Sequence, residues 1–435
     1  MGKKILFIAV MLVLLCSSWA SNAQKILTIE EMFELAETNA KTLKPFATTI
    51  LQSEENIKQQ RNACMPDITI GISADYIGNG HLIDRDFSNV TTIPMPHFGN
   101  NASVEITQIL YAGGALKAAN EIAKLELENA KLALENNRQA LRFQLVGQYL
   151  DLFELQNVLQ VYNENIKQTQ YVLENMRSKT NEGITLNNDI TRYDLLLAEL
   201  QLGKKKIENA IAVLNLNITT TIGLDNDIKI IPDSNLLQIV LPQDGKRFWL
   251  GQSVSNLELR QLETGIKISE QSIKTENAKR IPNIVFKAAD NFNGPILIEV
   301  PTINKNFNYW YVGIGVQYNF GELYKSKHSV KSAKLANQRL QEQYADAKEK
   351  TELAIYSNYV KYLETYDELQ TQTKNVELAN QNYEVIYNRY QNDLVLISEM
   401  LDASNKKLSA EVQFVNAKIS ILFNYFKLKF ILGKL

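Results

Sequence analysis

The chain has 435 residues, with 46 Lys or Arg against 48 Asp or Glu, for a formal net charge of −2. A near-neutral chain without a basic block is a poor match for a phosphate backbone, so nucleic acid is not an expected partner. Its three His lie at no metal-ligand spacing, and no nucleophile motif, phosphate loop or cysteine cluster appears, so neither catalysis nor a cofactor is expected.

In chain order, Lys3 and Lys4 precede the apolar run Ile5–Leu15, followed by Ser21, Asn22 and Ala23. Basic start, short apolar core and small residues make 1–23 a secretory signal with cleavage after Ala23, and the core is too short to span a bilayer. Leu15 before Cys16 is bulkier than a lipid-attachment site tolerates, so no lipid is expected. The mature chain then keeps only Cys64, which has no partner for an internal disulfide and reads as a small buried apolar residue. No later run is long and apolar enough for a membrane helix.

The prolines mark where helix must be. None falls in 97–231 or in 302–435. After a helix near 43–64, Ile68, Ile70, Ile72, Ala74 and Tyr76 alternate with Asp67, Thr69, Gly71, Ser73 and Asp75, predicting a strand over about 66–77. A Gly-, Asn- and Pro-rich link, 78–100, reads as a loop before a second alternating strand at about 101–111. Gly113 and Gly114 then lead into a long helix, Ala115–Asn181, with an apolar seam at spacings of three, four and seven. A turn and a returning helix, about 186–222, follow.

The same order then repeats. The segment 226–250, with Pro232 and Pro242, reads as a non-helical collar, and a helix near 252–279 precedes strands at about 283–292 and 309–320. The first of these is the weaker, because Lys287 and Asp290 disturb its alternation. Gly321 opens a long helix, Leu323–Gln391, and a returning helix closes the chain near 396–432. "EGITLNNDITRY" at 182–193 lines up with "NDLVLISEMLDA" at 392–403, so the chain is an internal duplication: 24–225 and 251–435 are the repeats.

Strict alternation over about ten residues is how a membrane barrel strand presents apolar side chains to lipid and polar ones to a lumen. Trp310 to Tyr318 would span roughly 26 Å with an aromatic at each end. A soluble half-buried strand alternates too, but four such strands in a secreted chain with helices about 100 Å long favour the barrel. Four strands cannot close, and open edges cannot face lipid, so the chain is expected to oligomerise, three copies giving twelve strands.

Order, spacing and duplication together resemble the TolC-like outer-membrane factor (outer membrane efflux protein) family over essentially the whole mature chain. "LTIEEMFELAETNAKTLK" looks like the family's opening helix, and the stretch from Arg389 to Leu435 like its closing hairpin. The resemblance implies a mainly α fold: long antiparallel coiled-coil helices forming an α-barrel, plus four transmembrane strands per protomer. It implies a homotrimer in outer-membrane lipid of a Gram-negative bacterium, extending into the periplasm. It also implies export of small molecules or proteins in a tripartite efflux or type I secretion system, with a periplasmic adaptor and an inner-membrane RND or ABC transporter. The competing reading is a structural or adhesive surface coiled coil, which leaves the paired strands and the collar without a purpose.

The resemblance also assigns residues. Gly183, Ile184, Thr185 and Asp189 match the family's tip pattern in the first repeat. In the second, Leu394 and Glu399 match, while Asp393 replaces the glycine and Val395 departs. Asp tolerates a left-handed turn, so both hairpins are expected to form, and both tips to dock the adaptor. Glu399 and Asp402, one helical turn apart, fall where the family has its periplasmic constriction and would make two acidic rings in a trimer. A solvated helix face would show the same pair, but their place at the turn favours the rings. Tyr390 and Asp189 match a pair that holds the family's tip closed. The usual basic latch residue is Val395 here, so that latch is either missing or replaced, with Arg192 the candidate substitute.

Overall fold

The computed structural model describes residues 24–181, 187–238, 245–299, 301–392 and 394–435; the secretory segment lies outside them. Its elements, in order, are β1 (Gln24–Leu27), α1 (Ile29–Asn39), α2 (Lys44–Asn62), β2 (Asp67–Tyr76), β3 (Gly80–Ile83), β4 (Val90–Ile93), β5 (Phe98–Ala112), α3 (Ala115–Asn181) and α4 (Asn187–Ile222). Then come β6 (Lys229–Pro232), α5 (Lys246–Leu250), α6 (Leu257–Ala278), β7 (Asn283–Gly294), β8 (Phe307–Gln317), α7 (Glu322–Gln391) and α8 (Ile397–Ile431). The chain is mainly helical, and its contacts define two compact units that cut across the sequence repeats. One comprises the chain through Ala47, Ala133–Arg260 and Asp346–Leu435; the other comprises Thr48–Leu132 and Gln261–Ala345.

In the first unit, α1 starts because Thr28 accepts a hydrogen bond from Glu31 N at 3.2 Å, with Glu30 and Glu31 in the first turn complementing the helix dipole. It buries Ile29, Met32 and Ala36, one stripe at spacings of three and four, against Leu145, Tyr149, Ile218 and Ile222. The four-residue strand β1 pairs in parallel with β6, Gln24 opposite Lys229. Tyr149 ties both to α3: its Oη donates to Leu27 O at 2.6 Å and accepts from Asp233 N at 2.7 Å. Asn215 of α4 holds β6 from the other side, accepting from Ile230 N and donating to Ile228 O, both at 2.8 Å.

The collar therefore contains more than irregular chain. It supplies β6, and the five-residue α5 carries Trp249 into a second core with Ile355, Tyr362, Ile421 and Leu428. Segments this short have no period to read, and the partner of β6 is some two hundred residues away.

The duplication shows in how the returning helices end. Gly223 and Gly433 both have positive φ, 73° and 65°. Leu224 N donates to Thr219 O and Lys434 N to Lys429 O, each at 2.9 Å, the bond of a helix end closed by a left-handed glycine. An Asn side chain then caps each end: Asn39 donates to Ile222 O at 3.0 Å and Asn256 to Ile431 O at 2.8 Å.

The second unit holds a four-stranded antiparallel sheet in the order β2-β5-β7-β8, its strands within a few residues of those expected. Ladder register puts Ile68, Ile70 and Ile72 of β2, Ala102, Val104 and Ile106 of β5, Ile284, Phe286 and Ala288 of β7, and Trp310, Val312, Ile314 and Val316 of β8 on one face. The other face carries Asp67, Thr69, Ser73, Asp75, Ser103, Glu105, Thr107 and Lys287. Lys287 thus obeys the alternation after all. Asp290 breaks it on the apolar face, where Asn308 donates to its Oδ1 at 2.8 Å, and the buried Val285 and Ala289 break it on the other. The link 78–100 is not all loop, since β3 and β4 pair within it as a four-residue ladder. Cys64 is half-buried rather than buried, with Asn120 Nδ2 at 3.9 Å from its sulfur.

Candidate functional site: hairpin ends and the four-stranded sheet

Two regions carry the function-bearing features. At the turns joining α3 to α4 and α7 to α8, Gly183, Ile184, Thr185 and Asp393 lie outside the described residues. Leu394 N donates to Arg389 O at 2.9 Å, closing the end of α7. Leu394 and Leu396 are exposed, 67% and 70%, whereas Val395 packs against the helices behind it. Two large apolar side chains in water at the end of a hairpin are costly unless something covers them.

Leu396 has extended backbone and caps α8 with its carbonyl, which accepts from Glu399 N at 3.0 Å. Glu399 lies in the first turn of α8, where the helix dipole favours an anion. Asp402 follows one turn on. Both are exposed, while Met400 and Ala403 beside them are buried at 0% and 1%, so the two acids point away from the protomer's own core. Asp402 has a partner that the sequence reading did not weigh: Lys406 Nζ lies 2.7 Å from its Oδ2. With both side chains about two-thirds exposed the pair is weakly held, but it halves the simple count of unpaired charge on this face.

Behind the turns the four helices close on one cluster: Val172, Leu173 and Met176 of α3, Tyr193, Leu196 and Leu200 of α4, Tyr383 and Tyr390 of α7, and Ile397, Met400 and Ala403 of α8. Tyr390 is buried here, and Ile190, one residue from Asp189, packs against the same cluster. Asp189 is half-buried and Arg192 exposed, both in the first two turns of α4. Burial pushes the phenols of Tyr193, Tyr383 and Tyr387 upward from their ordinary value, so all three stay neutral donors at any physiological pH.

The second region is the sheet. Ile72 is 83% exposed and Trp310 73%, and every residue of β8 is exposed. β2 and β8 are its outer strands, each with one edge unpaired. Among the described residues no cluster of His, Cys, Asp or Glu could hold a metal, and no described helix is long and apolar enough to cross a membrane. His81 and His97 serve their own loop, contacting Thr92 at 3.2 Å and Ile77 O at 2.9 Å.

This fold is shared by solved outer-membrane channels. The chain superposes on VceC, an outer membrane protein of Vibrio cholerae, with TM-score 0.76 and 15% identity, covering 93% of this chain and 96% of that one. CusC, described for conformational changes in transmembrane channel formation, gives TM-score 0.78 at 13% identity over 96% and 95%. The open state of the MtrE outer membrane channel of Neisseria gonorrhoeae gives 0.73 at 13% over 93% and 88%. No curated protein matches by sequence. A family profile described as outer membrane efflux protein matches residues 33–216 and 253–434, one match in each repeat. With both halves of the duplication matched, and with the fold of Gram-negative outer-membrane channels, the chain belongs to the outer membrane efflux protein family.

Proposed function

We propose that this chain, an outer-membrane efflux channel by family, works as a homotrimer whose twelve strands form one barrel and whose helices continue as a periplasmic tunnel. The observation that carries this reading is the sheet: four strands with one mainly apolar face, interrupted at Gln108 and Asp290, and an unpaired edge on each side. Such edges are tolerated in lipid only when neighbouring copies pair them. The exit is therefore proteinaceous and passive, with no cofactor and no catalytic step.

In this reading the tunnel belongs to a tripartite efflux or type I secretion system. The turns at Gly183–Thr185 and Asp393–Val395 dock a periplasmic adaptor, and the exposed Leu394 and Leu396 supply the apolar cover for that contact. An inner-membrane RND or ABC transporter supplies cargo and energy. Glu399 and Asp402 line the narrow end, where three copies of each concentrate cations. Lys406 tempers the Asp402 ring, so Glu399 carries most of the selectivity. Tyr390, Asp189 and Arg192 hold the hairpins closed.

Purified protein in planar bilayers tests this. A detergent-stable trimer with small, cation-selective conductance is expected. Glu399→Gln with Asp402→Asn should weaken the selectivity and the block by multivalent cations, and Glu399→Gln alone should do most of it. A monodisperse monomer with intact circular dichroism would defeat the barrel. Unchanged selectivity in the double variant would make the acids a solvated face.

A further inference from the structure

The polar face of the sheet holds side chains that a water-facing surface does not call for. Register places Phe307, Tyr309 and Tyr311 of β8 opposite Asn293, Asn291 and Ala289 of β7, on the face of Asn101, Ser103 and Glu105 of β5. At every second residue, the three rings follow one another at about 6.8 Å along the strand. Phe307 and Tyr309 are stacked, with ring centroids 5.4 Å apart and planes 27° from parallel. All three rings are exposed, at 51%, 41% and 47%. They are not an interfacial girdle, whose rings face lipid; the aromatic that β8 turns to the apolar face is Trp310. The next two rungs are Gly313 and Gly315, where an added side chain would meet open space or, at most, backbone at 4.0 Å. Glycine inside a strand costs stability and often marks a place where a ligand approaches the backbone closely.

Assembly would not bury the rings. β2 and β8 are the outer strands, so in a closed barrel β8 meets β2 of a neighbouring copy, which offers Asp67, Thr69, Gly71, Ser73 and Asp75 on this face. None of these is large enough to cover a ring. Charge on the face is one-sided, with Asp67, Asp75 and Glu105 against Lys287. An aromatic face attracts a cation, and a second flat ring stacks on it with an offset. Acids and rings together therefore favour a flat ring that carries positive charge.

We propose that Phe307, Tyr309 and Tyr311 form an aromatic track that binds organic cations bearing a flat aromatic ring. Gly313 and Gly315 leave room for such a ring to settle against bare backbone before it stacks on Tyr311. Glu105 stands in the same row as Tyr311, two strands and roughly 10 Å away, and draws the positive charge along the wall. That the track lies inside a pore rests on the channel reading above, whereas the ladder itself belongs to a single copy.

Two measurements test it, with ethidium as the probe. In planar bilayers ethidium should interrupt the current. Tyr309→Thr and Tyr311→Thr, which keep a strand-forming residue, should shorten the interruptions roughly two- to fivefold for each ring removed, with the trimer kept. Glu105→Gln should shorten them as well. Tetrabutylammonium, a cation without a flat ring, should give only brief interruptions that the Thr variants leave unchanged. No interruption by ethidium, or interruptions equally long in the variants, overturns the track. Long interruptions by a neutral oligosaccharide, lost in the same variants, overturn the choice of occupant. Ethidium fluorescence titrated with the protein in detergent is the second readout, and weaker binding by the double Thr variant is expected. Unchanged binding there overturns the track even should the wild-type protein form no pore, a result that would itself sink the channel reading.

Discussion

At the scale of single residues, burial of charge sets the terms. Glu154 and Asp151 stand one turn apart on α3, and burial raises both carboxyls above their ordinary values, Asp151 adding to the rise at Glu154. The Asn416 amide, turned so that its nitrogen donates to Glu154 Oε1 at 3.0 Å, works the other way. A raised acid holds its proton to higher pH when folded than when unfolded, so its contribution to stability falls as pH rises through that window. Glu154→Gln should therefore raise the melting temperature at pH 7 by about 1 °C, a modest effect for a half-buried group, and lose the gain below pH 4. Thermal melts in detergent at the two pH values decide it; a loss at pH 7 would mean that Asn416 outweighs burial. The repeat placed Glu399 and Asp402 just past the second turn, because position along a duplicated hairpin survives in the order of residues, and only the family resemblance gave them a role at a constriction. Lys406 was missed although it lies at the i+4 spacing where a helix pairs charges.

Among elements, the strand-to-helix junction is the most exacting. Gly113 has φ 61°, and a side chain there would meet Ala278 O at 2.7 Å and Ile281 Cβ at 2.9 Å. Gly114 also has positive φ, 89°, but open space around it. Gly113→Ala is expected to cost more than the ~1–3 kcal/mol of left-handed strain alone, and Gly114→Ala only that strain. Equal losses in denaturant titrations of the two variants would remove the close approach of α6 from the account. Long periodic elements were legible within a few residues: the coiled-coil seam fixed α3 and α7, and alternation fixed β2, β5, β7 and β8. The short pairs β1–β6 and β3–β4 were not, because four residues hold too few side chains to show a period. Their pairing depends on partners that only the folded chain supplies, Tyr149 and Asn215 in the case of β6.

For the whole molecule, lipid is the decisive solvent. Val312 lies mid-strand in β8 on the apolar face, 60% exposed, while Tyr311 before it points to the polar face. Val312→Arg should destabilise the inserted barrel by ~2–4 kcal/mol, as a cation does at the middle of a bilayer. Tyr311→Arg should be tolerated. The folded, heat-modifiable fraction recovered from outer membranes measures both, and equal recovery would mean that lipid does not contact this face. The sheet behind this expectation was legible in the sequence, because alternation extends over four strands.

The pairing of β1 with β6 also has a consequence in time. Gln24 must wait for Lys229, which follows it across the inner membrane some two hundred residues later. Until then Leu27, fully buried in the finished protein, has no core to enter. Contacts that close so large a loop form late, on the native side of the folding barrier. Changes at Leu27 or Ile230 should accordingly leave the speed of folding nearly untouched and shorten the lifetime of the folded protein instead.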